Sequence, residues 1–280
     1  MKDIFDRISK KSSKMTTNLY STSFSLGIRV FKRKYHEPIY AIYGFVRFGD
    51  EIVDSFHGFD KEKLLKKFRQ DTFEAIADGI SLNPILNSFQ AVVNKYNIDH
   101  ELIDLFLKSM EMDLDQKEHN TESFRQYILG SAEVVGLMCL QVFVNGDKEW
   151  YDVLKPHAMA LGSAFQKVNF LRDLNADKGV LGRSYFPGLD VTRLDENTKN
   201  QIIQDIENDF RFAYEGIMQL PHGARFGVYV AFVYYQSLLR KIKRTHSSVI
   251  LNKRVRIPNR EKYGLLISSA FRHAYNLFLL

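Results

Sequence analysis

The chain has 280 residues, of which 45% are hydrophobic, 13% aromatic and 26% charged, with 39 Lys+Arg against 33 Asp+Glu and a net charge of +6. That composition excludes a disordered tail, a collagen-like repeat and a small disulfide scaffold, and it leaves enough chain to bury a large core. Six prolines and sixteen glycines are few for this length, which favours long helices over short strands joined by turns.

In chain order, the first fifteen residues lack an apolar run of signal-peptide length. The prolines at 38, 84, 156, 187, 221 and 258 divide the rest into helix-sized pieces. Asn83-Pro84 reads as an N-cap followed by Pro at the first helical position. Asp99 caps the next piece, where Ile98, Leu102, Ile103, Phe106, Met110 and Leu114 recur at helical spacing. Thr121 is the expected cap of a third helix, which runs through Phe124 to Val144. Within it, Tyr127–Gly146 carries one charge, Glu133, and reads as a buried core helix rather than a membrane span. The single cysteine, Cys139, falls in this apolar stretch; it cannot form an internal disulfide, and a buried inert thiol in a reducing cytosol is expected. Asp195 opens a fourth helix with one apolar stripe from Ile202 to Ile217. Val228–Tyr235 has strand propensity, but its continuation through Leu239 and Ile242 argues for helix. The expected fold is therefore all-α, one domain over residues 1–280, with roughly ten helices.

Two acidic segments carry the chemistry. The first holds Tyr43, Arg47, Asp50 and Asp54; the second holds Gln166, Asn169, Arg172, Asp173 and Asp177. In each, two aspartates are spaced i, i+4, which on a helix puts both carboxylates on one face. Like charges so placed repel unless a cation sits between them, and Mg²⁺ prefers carboxylate oxygen and bridges readily to phosphate. The spacing alone decides little: a third pair, Asp205 and Asp209, reads as the solvated face of an amphipathic helix. The first two pairs differ in having an Arg just before them and buried-looking sequence around them. Buried Asp–Arg bridges between helices are the alternative.

The joint pattern resembles the squalene/phytoene synthase family. The carriers are Asp50-Glu-Ile-Val-Asp54 and, far downstream, Asn169-Phe-Leu-Arg172-Asp173-Leu-Asn-Ala-Asp177. Three further segments match in order: Ser21-Thr-Ser23-Phe24-Ser25, Gly130-Ser-Ala-Glu-Val-Val-Gly136 and Arg183-Ser-Tyr185-Phe-Pro187. The resemblance spans about Asn18 to Tyr263. It implies an isoprenoid-synthase helical bundle around a central cavity, in which two allylic prenyl diphosphates condense head to head through a cyclopropylcarbinyl diphosphate. By matching motif, Asp50, Asp54, Asp173 and Asp177, with Asn169, would hold two or three Mg²⁺ ions, Mn²⁺ being an admissible substitute. Ser21, Arg47, Gln166, Arg172 and Arg260 would bind substrate, and Tyr43, Tyr127 and Tyr235 would line the reacting centre.

Two departures stand out. Tyr20 replaces the His common before Ser-x-Ser-Phe, and Glu133 stands where small residues are usual, as an expected partner for an Arg. Phe271–Leu280 is too short to span a bilayer, which favours the carotenoid branch, with phytoene from two geranylgeranyl diphosphates as product. Dehydrosqualene or squalene from two farnesyl diphosphates is the runner-up, and a non-catalytic helical assembly module of the same fold is a third reading. The expected partners are prenyl diphosphates and no nucleic acid, in the cytoplasm, with peripheral membrane contact left open and oligomeric state unassigned.

Overall fold

The structure, a computed structural model, describes residues 1–115, 119–176, 186–187, 194–258, 260–262, 264–266 and 269. Among these there is no strand. The helices are α1 (Lys2–Tyr20), α2 (Thr22–Arg29), α3 (Arg33–Asp54), α4 (Lys61–Asp78), α5 (Pro84–Tyr96), α6 (His100–Asp115), α7 (Thr121–Ile128), α8 (Val134–Val144), α9 (Lys148–Ala176), α10 (Glu196–Gln219), α11 (His222–Arg244) and the short α12 (Ser247–Ile250). One π turn, Leu129–Glu133, joins α7 to α8.

The capping grammar accounts for most helix starts. Asn83 accepts from the Ile85 and Leu86 N–H groups, with Pro84 at the first helical position. Asp99 accepts from Glu101 N at 2.9 Å, and Asp195 from Thr198 N at 2.7 Å. The third start differs from expectation by one residue. Asn120 caps α7 and Ser123 returns the bond to the Asn120 N–H, a capping box that leaves Thr121 inside the helix. Val228–Tyr235 lies in α11 and is helical, as its continuation implied. Two prolines do not divide helices as expected: Pro38 and Pro156 sit inside α3 and α9. Each removes one backbone hydrogen bond, and tertiary packing holds these long helices together across the gap.

Two apolar clusters fill the bundle. In the first, Phe45 of α3 is fully buried and its ring meets Phe89, Phe68 and Phe106 at 4.0, 5.5 and 5.3 Å, which ties α3 to α5, α4 and α6. Burying one such side chain contributes about 1.5–3 kcal/mol. In the second, the α10 stripe Ile203, Ile206, Phe210 and Ile217 packs with Phe232 and Leu239 of α11 and Val168 of α9.

The run Thr121–Val144 is long and apolar enough to cross a membrane, yet 56% of its apolar window is buried inside the protein. It packs on α6 and α9, as a core helix does. Glycine makes that packing close. A Cβ on Gly130 would lie 2.6 Å from the Leu105 carbonyl oxygen and from Ser109 Cβ, and one on Gly162 would lie 2.8 Å from the Ala132 carbonyl oxygen.

Candidate active site

A cavity of about 380 Å³ runs between the helices. Its walls are mostly apolar. Along α9 they extend from Leu154 to Gln166, about 18 Å at the helical rise of 1.5 Å per residue. Phe31, Phe143 and Leu154 lie toward one end; Tyr43, Asp50, Tyr127, Gln166 and Tyr235 lie toward the other. Cys139 is on the wall. Burial pushes its thiol up to about 12, so it stays protonated.

At the polar end, α3 supplies Tyr43, Arg47 and Asp50 from successive turns. Arg47 pairs with Glu51, one turn on, and stands 3.9 Å from Asp50, while its guanidinium sits 4.3 Å from the Tyr20 ring centroid. Tyr20, the departure in the sequence, thus faces the arginine of the first acidic segment. The Arg47 Nε is buried with no hydrogen-bond partner among the described residues, so it retains a donor. The Asp50 carboxyl, with a third of its side chain accessible, is pushed up to about 7. Burial is the main cause; Arg47 opposes it, and the carboxylates of Asp54 and Asp113 add to it.

Asp113 escaped the sequence reading. It is buried on α6 and accepts a 2.8 Å hydrogen bond from the Tyr127 hydroxyl. An acid three residues after Met110, on an otherwise apolar face, was the available signal.

Tyr43 stacks on Phe24 at 4.8 Å and meets the Ser21 hydroxyl; burial raises its phenol to about 12, with Arg47 opposing. Ser21 also caps α2 through the Phe24 N–H. Tyr235 stacks on Phe165 at 4.0 Å and donates to the Asn169 side chain at 3.3 Å. Burial raises its phenol as well, and its charge would be felt at Tyr43, which joins α3 to α11 across the cavity.

The second acidic segment continues along α9 beyond Gln166. Asp173 is held by its neighbour Arg172 and by Arg254, whose Nε lies 2.6 Å from Asp173 Oδ1. Arg254 comes from the basic run after α12 and was not among the expected site residues. Arg260 is exposed and makes no ion pair among the described residues. Asp177, Arg183 and Tyr185 lie outside the described residues.

The third acidic pair is not merely a solvated face. Lys167 bridges Asp205 and Asp209 at 2.5 and 2.8 Å and fastens α9 to α10. Glu133, on the π turn, faces this Lys and Asp209 rather than an Arg.

Residues 17–261 match the squalene/phytoene synthase family. The chain belongs to the squalene/phytoene synthase family. Among similar proteins, a phytoene synthase of Arthrospira platensis is 27% identical over 272 residues, covering 88% of this chain and 87% of that one. A presqualene diphosphate synthase of Sinorhizobium fredii is 30% identical over 190 residues, covering 66% and 65%. The fold superposes on a dehydrosqualene synthase solved with a ligand at a TM-score of 0.83, with 19% identity and 96% and 98% coverage. Family membership makes the protein a prenyltransferase of head-to-head condensation, acting on prenyl diphosphates.

The family's usual Mg²⁺ suits the donors here. Carboxylates and the Asn169 carbonyl are hard oxygen ligands. The crowding of Asp50, Asp54 and Asp113 leaves negative charge that a divalent cation would neutralise. Among the described residues no three acidic, His or Cys side chains converge as a ready-made chelate.

Proposed function

We propose that this protein condenses two geranylgeranyl diphosphates to phytoene. The observation that carries the reading is a long apolar cavity ending in Asp50, Tyr43, Tyr127 and Tyr235, with Arg47 beside Asp50. Phytoene synthases that align along nearly the whole chain support the twenty-carbon substrate, including one of Synechococcus elongatus at 26% identity.

The diphosphates lie at the polar end. Arg47, Arg172 and Arg254 bind phosphate oxygens, the last two after loosening their hold on Asp173. Asp50, Asp54, Asn169, Asp173 and Asp177 would hold Mg²⁺, which when bound would supply Lewis-acid neutralisation of the departing diphosphate. Ser21 fixes the Tyr43 hydroxyl, and Asn169 fixes that of Tyr235, so that both rings stand beside the allylic carbons. Their faces, with Phe165, stabilise the positive charge left on the chain. The Tyr127 ring is anchored through Asp113 and completes this wall. Below, the apolar lining holds the prenyl tails straight and keeps water from the cation.

The runner-up is condensation of two farnesyl diphosphates, favoured by the presqualene diphosphate synthase relatives. Incubating the purified protein with Mg²⁺ and each labelled prenyl diphosphate alone distinguishes the two. A forty-carbon hydrocarbon from geranylgeranyl diphosphate supports the proposal. A thirty-carbon product from farnesyl diphosphate, with geranylgeranyl diphosphate inert, refutes it.

A further inference from the structure

Helix α1 is turned inside out. Its buried residues are Ser9, Ser13, Thr16 and Thr17, whereas Ile4, Ile8, Met15 and Leu19 are between 50% and 78% exposed. The four apolar residues fall at i, i+4, i+11 and i+15, one stripe about 22 Å long at helical rise. Beside it run Arg7, Lys11 and Lys14, at i, i+4 and i+7. None of these three carries an ion pair among the described residues, while Lys2 and Lys10 are engaged with Asp6 and Glu37. Tyr20 lies on the other side of α1 from this stripe, in a shallow groove lined also by Phe48, Glu51, Phe56 and Asp71.

We propose that the outer face of α1 docks the protein on an anionic lipid bilayer. Apolar side chains that interdigitate with basic ones match the acyl–headgroup boundary: Ile, Met and Leu enter the hydrocarbon edge while Arg and Lys reach lipid phosphates. Charge complementarity selects this occupant. A second copy of the chain paired through the same face would set one basic arc against the other. Docking by this face does not depend on which prenyl diphosphate the cavity takes.

The test is vesicle flotation of the whole protein with phosphatidylcholine alone and with a phosphatidylcholine–phosphatidylglycerol mixture. The protein is expected to float with the mixture, much less with phosphatidylcholine, and less as salt is raised. Lys11→Gln with Lys14→Gln should weaken binding about 25-fold at low salt, taking about fivefold for each basic residue at the surface. Ile8→Gln with Leu19→Gln should weaken it at least about tenfold. Helical circular dichroism and melting temperature of both double variants should match the parent, since all four side chains are exposed. Failure of the parent to float with anionic vesicles overturns the proposal, as does undiminished binding by both folded variants. Light scattering that shows a dimer, converted to monomer by the Ile8→Gln/Leu19→Gln pair, would mean that a second copy covers the face, and overturns it too.

Discussion

Replacing Glu133 by Gln should stabilise the protein above neutral pH and leave it unchanged in acid. Glu133 sits on the π turn with its carboxyl raised from 4.5 to about 7, first by burial, then by the nearby Asp209, with Lys167 opposing. Lys167 is already committed to Asp205 and Asp209. A folded value above the unfolded one means that the folded state holds the proton more tightly. Stability is therefore lost as pH rises from about 4.5 through 7, and the full loss is present above 7. The displacement corresponds to about 3 kcal/mol at most. Glu133 keeps part of its side chain in solvent, and screening there reduces this to about 1.5 kcal/mol. For a chain of this size that is about 3–6 °C in melting temperature. Thermal melts of parent and Glu133→Gln near pH 8 should differ by that amount and converge near pH 4.5. An equal gain at both pH values would show that ionisation is not the cause. A loss at pH 8 would show that Glu133 is ionised and held by Lys167.

Other substitutions test the site and its walls. Asp50→Asn should lower turnover on the order of 100- to 1000-fold with helical circular dichroism intact, and should abolish the Mg²⁺-dependent rise in melting temperature expected of the parent; an active variant or an unchanged Mg²⁺ response would favour a purely structural Asp50–Arg47 bridge. Gly130→Ala places a methyl 2.6 Å from a backbone oxygen of α6 and should destabilise by about 1–3 kcal/mol in a denaturant melt; a neutral outcome would mean that α6 and the π turn separate freely. Arg254→Ala should raise KM for the diphosphate substrate more than Arg254→Lys does, because only the guanidinium forms a fork; equal effects of the two would place Arg254 outside the phosphate site.

The fold was legible where the signal is local. The Asn83, Asp99 and Asp195 caps and the α10 stripe follow from hydrogen-bond geometry and helical period, and the structure has them. What escaped depends on tertiary contact. Nothing in Leu129–Glu133 announces a π turn; it forms where Gly130 lets the backbone close on α6. Pro38 and Pro156 read as boundaries because a proline breaks an isolated helix, whereas in the bundle neighbouring helices support the chain around it. In the site, Tyr43, Asp50, Tyr127, Gln166 and Tyr235 come to one cavity. Motif order in the sequence could name them, but not show how they meet. Arg254 was not among the expected arginines, because a basic run in irregular chain has no period to say which side chain meets Asp173.

The features that lower stability are not scattered over the molecule. Asp50 with its like-charged neighbours, Glu133, the π turn, and Pro38 and Pro156 all lie on the cavity wall or next to residues that line it, namely Ile39, Ser131, Ala132 and His157. The aromatic stack around Phe45 and the Lys167 bridge to α10 adjoin the same wall, beside Val46 and Gln166, and are locally consistent. Under the proposed function Asp50 and its like-charged neighbours would receive a cation with its diphosphate, and the unfavourable electrostatics at Asp50 would be relieved by binding rather than by folding.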